Sequence, residues 1–293
     1  MWWIALLPRP ATPSPEAVLP LAWWALQWTP RVCLLDEAVL LEVAMSERLF
    51  GGRRALLQRL RAQAGAAGAL ALATAPTALA ALALLRQLDA GAGAEPAPLL
   101  PATGCGIRRL AATLDALPLA HLSAARPHAP TLHQLGCRTL GDVRALPRDG
   151  LARRLGADLL NALDQAYGQR AESHPWVSLP ERFEHRLECP SAVEHAQGLL
   201  FGAQRLLNAL LVWLAARQSG VLAFTLHWEH DRVRRSELRG GQVALRTAHA
   251  TRDMAHLTRL LAEHLARTTL AAPAMALRLV ADEVAPLPTT SLS

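Results

Sequence analysis

An order of apolar periodicities, strand–helix–strand–strand–helix–strand, occurs twice in these 293 residues. In its first occurrence strands are expected at residues 2–7, 31–35, 38–44 and 69–74, with helices at 16–28, 52–64 and 77–88. In its second, strands are expected at 183–189, 221–230, 233–239 and 275–282, further extended chain at 242–249, and helices at 193–218 and 253–268. Period separates the two kinds of element: alternation marks a half-buried strand, and recurrence about every 3.6 residues marks a helix. The run Ala55-Leu56-Leu57-Gln58-Arg59-Leu60-Arg61 has the helical period and leaves Arg53, Arg54, Arg59 and Arg61 on the polar side. An α+β class follows, with two βαββαβ units and helices packed on a sheet. In the second unit both helices are expected on one face, burying Leu199, Leu200, Leu206, Leu207, Leu210 and Leu214 from the first and Leu257, Leu260, Leu261 and Leu265 from the second, while the other face stays free for a ligand.

Between the two units the periodicity changes. The Gly-, Ala- and Pro-rich run 90–103 is expected to be a linker, and residues 104–167 form short helices punctuated by Pro118, Pro127, Pro130 and Pro147. Thr139 is placed to cap the helix beginning at Leu140, with Gly136 in a left-handed turn before it. A polar linker is expected at 168–180, so the chain divides into domains at 1–89, 104–167 and 181–288 with a tail at 289–293. Residues 65–85 carry no charge and match a membrane span in length, but Gly65, Gly68 and Pro76 break them into a strand, a turn and a helix. No membrane partner is expected.

All 30 basic residues are Arg. Without Lys there is no phosphate-binding GK[ST] loop and no Schiff base, which removes P-loop ATPases and Lys-dependent aldolases. The net charge of +6 divides as 8 Arg against 7 acids over residues 1–100, 9 against 6 over 101–180 and 13 against 11 over 181–293. This balance suits a polyanionic partner, and equally an Arg-rich composition with no such purpose. Cys33, Cys105, Cys137 and Cys189 are far apart with no C-x-x-C, so neither a zinc ribbon nor a disulfide framework is expected, and a reducing cytoplasm is. The opening MWWIALLPRP lacks the basic start and cleavage site of a signal peptide. His227 and His230 sit three apart on an expected strand, on opposite faces, and do not form a shared metal site. No G-x-S-x-G turn offers a nucleophile.

The chemistry-bearing pair is Asp36-Glu37, at the mouth of an apolar strand that ends at Glu42. Paired carboxylates at a strand end are what a nucleotidyl-transferring enzyme uses to hold divalent metal against a triphosphate, provided that another strand supplies a further acid.

The strand LLEV followed by SERLFGG, LATAPTALAA at 72–81, LGCRTLGDVRALPRDGLARRLG at 135–156, PERFEHRLECP at 180–190 and the helix ATRDMAHLTRLLAEHL at 250–265 resemble, in this order, the ImuB group of Y-family DNA polymerase-related proteins. The resemblance implies a ferredoxin-like palm, a small helical thumb and a little-finger domain. It implies a non-catalytic partner in translesion synthesis and SOS mutagenesis, joining ImuA, an error-prone DnaE-type polymerase and the sliding clamp.

Departures from active members of the family point away from catalysis. Their first palm strand carries an acid, whereas Trp2-Trp3-Ile4-Ala5-Leu6-Leu7-Pro8 has none. Their fingers subdomain is replaced by the short link 9–15, and the Lys contacts to the triphosphate have no counterpart. Active members carry a Ser-hydrophobic-Asp-Glu motif whose Asp stands five residues ahead of a second acid; counted back from Glu42 without a gap, that Asp falls on Glu37 and the Glu on Ala38, leaving Asp36 outside, while a one-residue insertion would restore Asp36-Glu37 as the pair. Asp36, Glu37 and Glu42 are therefore expected to be vestigial, solvated turn acids in the case of the pair, with no metal and no cofactor. Contacts to damaged or primed DNA are expected from Gly136, Arg138, Thr139, Arg153 and Arg154 and from Arg234, Arg235, Arg239, Arg246 and Arg252. Glu229, Asp231 and Glu237 among the latter leave open a solvated mixed-charge surface. The end of the sequence shows no clamp-binding peptide. The alternative expectation is an active low-fidelity DNA polymerase.

Overall fold

A computed structural model describes residues 1–9, 15–89, 102–230 and 240–287. The chain forms two compact units, Met1–Val177 and Ser178–Ser293.

The first unit is built on a five-stranded sheet in the order β2-β3-β1-β4-β5. The strands are β1 (Trp3–Pro8), β2 (Val32–Leu35), β3 (Ala38–Glu42), β4 (Ala69–Ala75) and β5 (Ala102–Gly104), and the helices between them are α1 (Pro15–Ala25), α2 (Arg53–Ala64) and α3 (Ala78–Asp89). The first four strands are antiparallel and in the expected ferredoxin-like order. Every residue of β1 is buried because both faces of the sheet are covered. Ile4 and Leu6 pack with Val18, Leu21, Leu56 and Leu60 of α1 and α2. Trp3, Ala5 and Leu7 pack on the other side with Leu82 and Leu85 of α3. Full burial of one such Leu contributes about 1.5–3 kcal/mol relative to exposure.

Strand β5 overlaps the end of the expected linker, 90–103. It pairs parallel with β4, Ala73 opposite Thr103, and Gly104 is required there because a Cβ would collide with the Thr74 side chain. The apolar stretch 65–85 resolves into β4 and α3, as the Gly and Pro positions indicate.

The short helices follow: α4 (Leu110–Asp115), α5 (Ala129–Gln134), α6 (Leu140–Ala145), α7 (Arg148–Leu155) and α8 (Ala157–Ala166). They share a core with the sheet, since Leu114, Leu132, Leu140, Val143, Leu151, Leu159 and Leu163 belong to the cluster that contains α3 and one face of β1. Residues 168–177, expected to be linker, carry no helix or strand yet are tied to this unit. Glu172 accepts hydrogen bonds from Ala78 N–H (2.7 Å) and Leu79 N–H (2.9 Å) at the start of α3. His174 and Trp176 pack on Trp3, with ring centroids 5.5 and 6.1 Å away.

The second unit has a four-stranded antiparallel sheet, β6-β9-β7-β8, made of β6 (Glu184–Val193), β7 (Ser219–His230), β8 (Gly240–Thr251) and β9 (Ala274–Pro286), with helices α9 (Leu199–Ala216) and α10 (Met254–Leu265). The βαββαβ order is the expected one, but β9 inserts between β6 and β7, so this strand order differs from the first unit's. Helix α9 starts later than its apolar run suggests, because Val193 continues β6 opposite Ala274 and a 3-10 turn at Ala196–Gly198 intervenes. Residues 196–216 are long and apolar enough to cross a membrane; here Leu206, Leu207, Leu210 and Leu214 are buried against the sheet. The expected strand 233–239 lies outside the described residues.

Candidate functional site

Asp36 and Glu37 form the two-residue turn between β2 and β3, with Leu35 paired to Ala38. Asp36 adopts the left-handed backbone (φ 50°), a conformation its short polar side chain tolerates. Both carboxylates close on Arg86 of α3, which is only 8% exposed. Its Nε–H donates to Glu37 Oε1 (2.5 Å), and Nη2 donates to Glu37 Oε2 (3.0 Å) and Asp36 Oδ2 (2.8 Å). The remaining nitrogen, Nη1, donates to the backbone oxygen of His121 (2.7 Å). The Ser123 hydroxyl donates to Asp36. The turn, α3 and the segment 121–123 are thus joined through one guanidinium.

The protonation equilibria follow from this contact. Burial acts to raise both carboxyls, but hydrogen bonds from Ser123 and Arg86 to Asp36, and from Arg86 and the backbone to Glu37, hold both below the usual range. Burial, then the charges of Arg86 and Arg126, keep His121 below the ordinary imidazole value. The pair is therefore ionised and partnered, which corrects the expectation of solvated turn acids: the cation that holds it arrives from 50 residues further along the chain.

Glu42 does not join the pair. It lies opposite Trp3 at the far end of β3, five residues from Glu37 and hence about 17 Å away along the strand. Its carboxylate is buried, receives Arg31 Nη1–H (3.0 Å) and accepts from Ala44 N–H (3.1 Å). Strand β3 pairs with both neighbours without a bulge. The part of β1 beside the acidic turn is Leu6-Leu7-Pro8, with no acid. Among the described residues no three His, Cys, Asp or Glu side chains converge as a metal site would require. A two-metal centre needs carboxylates from more than one strand around ions about 4 Å apart. The donor set here does not fit one, because Arg86 occupies the space between the acids.

The helical segment presents its candidate residues on two separate turns. Gly136 (φ 84°) supplies the left-handed turn between α5 and α6. Thr139 caps α6 in a full capping box: its hydroxyl accepts from Asp142 N–H, while Asp142 accepts from Arg138 N–H (2.8 Å) and Thr139 N–H (2.9 Å). The N–H groups of Cys137 and Leu140 are also spent, on Leu132 and Leu117 carbonyls. The backbone of this turn therefore has few donors left for a phosphate, and what it offers is the exposed Arg138 side chain. Arg153 and Arg154 are exposed on the last turn of α7. Neighbouring arginines are committed elsewhere, Arg144 to Asp115 and Arg148 to Asp164.

On the second unit's open sheet face Arg246 pairs with Glu283 (2.6 Å), Arg278 with Glu184 (2.8 Å) and Arg186 with Glu188 and Glu229. Asp282 also reaches this face, accepting from Thr225. The described part of the face thus carries more carboxylates than guanidiniums. Arg252 is exposed beside α10, and Arg234, Arg235 and Arg239 lie outside the described residues. His227 faces this open side while His230 is buried with its Nδ1 at Pro273 O (3.2 Å), so the two imidazoles do not meet.

Two structural partners were not singled out from sequence. Arg86 had a signal, as a charge inside the apolar run ALAALALLRQLD. Glu172 had none beyond being an acid in a polar stretch without apolar periodicity.

No protein-family model matches the chain, and no curated protein does. Among solved structures it is similar to DinB from Sulfolobus solfataricus, 14% identical over 93% of this chain and 77% of that one, with a TM-score of 0.41. It is similar also to the insertion ternary complex of Dbh DNA polymerase, 14% identical over 91% and 77% of the two chains, with a TM-score of 0.41. A further Dbh ternary complex is 12% identical over 92% and 78%, with a TM-score of 0.38. Likenesses this distant assign the chain to no family.

Proposed function

We propose that this chain is a non-catalytic, polymerase-like protein that contacts the DNA backbone and acts as a scaffold in translesion synthesis and SOS mutagenesis. The observation that carries the reading is Arg86, whose guanidinium fills the place between Asp36 and Glu37 where metal would have to bind. An ion pair of this kind organises a fold and polarises no phosphoryl group. Exposed Arg138, Arg153 and Arg154 supply charge for sequence-independent phosphate contacts. Its proposed protein partners are those the resemblance implies: an ImuA-type protein, a DnaE-type polymerase and the sliding clamp.

Primer extension tests the reading. With primed template, dNTPs and Mg²⁺ or Mn²⁺, no incorporation is expected from the purified protein. Incorporation that Glu37→Gln abolishes would establish the active low-fidelity polymerase instead. A pull-down with the three protein partners tests the scaffold part, and failure to retain any of them or DNA removes it.

A further inference from the structure

Opposite the acidic turn, at the end of the first sheet where β1 begins and β4 ends, a cleft of about 970 Å³ opens between the start of α3, the 3-10 turn Ile107–Arg109 and the segment after α8. Four arginines line it: Arg53, Arg108, Arg109 and Arg170. Arg53 is paired with Glu47 and lies over the Trp2 ring, 4.1 Å from its centroid. Arg170 donates to the neutral Asn161 side chain (2.6 Å) and forms no ion pair with a described residue. Arg108 and Arg109 are exposed and form no ion pair with a described residue. The acid in the wall is Glu172, and each of its oxygens accepts from one of the first amides of α3, Ala78 N–H and Leu79 N–H. Apolar surface completes the lining: Trp2, and Ile107 at 69% exposure.

We propose that this cleft is a binding site for the phosphodiester backbone of single-stranded nucleic acid. Three guanidiniums without a carboxylate partner among the described residues hold more positive charge than one phosphate monoester neutralises, and they are spread along an open trough. Arginines interleaved with an aromatic ring and an exposed aliphatic side chain are the lining that tracks a strand while its bases rest on apolar surface. The site is separate from the turns that carry Arg138, Arg153 and Arg154. The choice of nucleic acid among phosphate-bearing ligands rests on the function proposed above.

The test is fluorescence anisotropy with an end-labelled oligothymidylate and, separately, a duplex of the same length, on the intact protein. Wild type is expected to bind both. Arg108→Glu/Arg109→Glu is expected to weaken the single strand at least about tenfold and to lower the slope of log K against log salt by about 1.4, the share of two single-strand phosphate contacts. Duplex affinity should stay within about twofold, a margin of under 1 kcal/mol. Unchanged single-strand affinity in this variant, with DNA still bound, overturns the cleft and leaves the proposed function standing. No binding of either DNA by wild type overturns both the cleft and the DNA part of the proposed function. Inorganic phosphate or dTMP that displaces the oligonucleotide equally well, phosphate for phosphate, reduces the cleft to a small-anion site and overturns the strand assignment. Circular dichroism and Tm check folding, and Arg108→Ala/Arg109→Ala replaces the reversal if it unfolds.

Discussion

Removing the acids and removing the arginine of the Asp36–Arg86–Glu37 contact should have unequal consequences. Arg86 is buried, while Asp36 and Glu37 keep 35% and 21% of their side-chain surface. Asp36→Ala/Glu37→Ala leaves a buried guanidinium with only the His121 carbonyl, and breaking a buried pair in this way costs about 3–5 kcal/mol. Partial exposure of the acids brings the expected loss toward about 3 kcal/mol. Arg86→Met leaves carboxylates that can turn to water and a side chain that fits the apolar core, so about 1–2 kcal/mol is expected. Chemical denaturation of both variants measures the asymmetry; equal losses would mean that the acids are no freer than the arginine. The sign of the pH effect follows from the depressed carboxyls. In the unfolded chain they titrate near about 4 and in the folded one lower, so their stabilisation is complete above about pH 5 and is lost as pH falls through the folded values. Depressed His121 acts in the same direction, with its loss beginning below about pH 6.5. A Tm that falls as pH drops from about 5 to about 2, and falls less in Asp36→Asn/Glu37→Gln, is the expected result.

At the scale of elements, β1, β2, β3, α2, β4 and α3 were legible because each has an unbroken period and a clear stop, such as Gly51-Gly52 before α2 or Pro76 before α3. The three residues of β5 carry no period to detect, and pairing with β4 alone makes them a strand. Strand order in the second unit was not legible either, since periodicity reports a face and not a neighbour. The acids of the candidate site were visible as a local pair, but their partner was a tertiary fact, as was the capping of α3 by Glu172 from 94 residues away. That cap has a pH sense opposite to the acidic turn's. Burial raises the Glu172 carboxyl against the pull of the Leu79 and Ala78 amides, so its contribution is full below the unfolded value near about 4.3 and is lost as pH rises through the folded one. At pH 7 Glu172→Gln keeps an acceptor and drops the buried charge, and should cost under about 1 kcal/mol, whereas Glu172→Ala leaves two first-turn amides unpaired and should cost about 1–2 kcal/mol. Thermal melts of the two variants decide this, and an equally large loss in the Gln variant would show that the charge itself holds α3.

Across the whole molecule charge is uneven, and that decides which unit should govern affinity for DNA. The first unit, residues 1–177, has 17 Arg against 13 acids, and the second, 178–293, has 13 against 11. The second unit's described sheet face sets Arg186, Arg246 and Arg278 against Glu184, Glu188, Glu229, Asp282 and Glu283, an arrangement that repels a phosphate run more than it attracts one. The first unit instead leaves Arg138, Arg153 and Arg154 exposed on its helical turns. If those turns hold duplex DNA, Arg153→Glu/Arg154→Glu should reduce the slope of log K against log salt by about 1.8, the value for two duplex phosphates, and weaken binding about tenfold or more at low salt. Arg252→Glu, in the second unit, should change affinity less than about twofold, because losing one contact beside an acidic surface removes little net attraction. Titrations at several salt concentrations distinguish the two outcomes: a larger effect from Arg252 than from the Arg153–Arg154 pair would move the DNA contact to the second unit and make the surface around Arg252, rather than the helical turns, the place where the backbone is held.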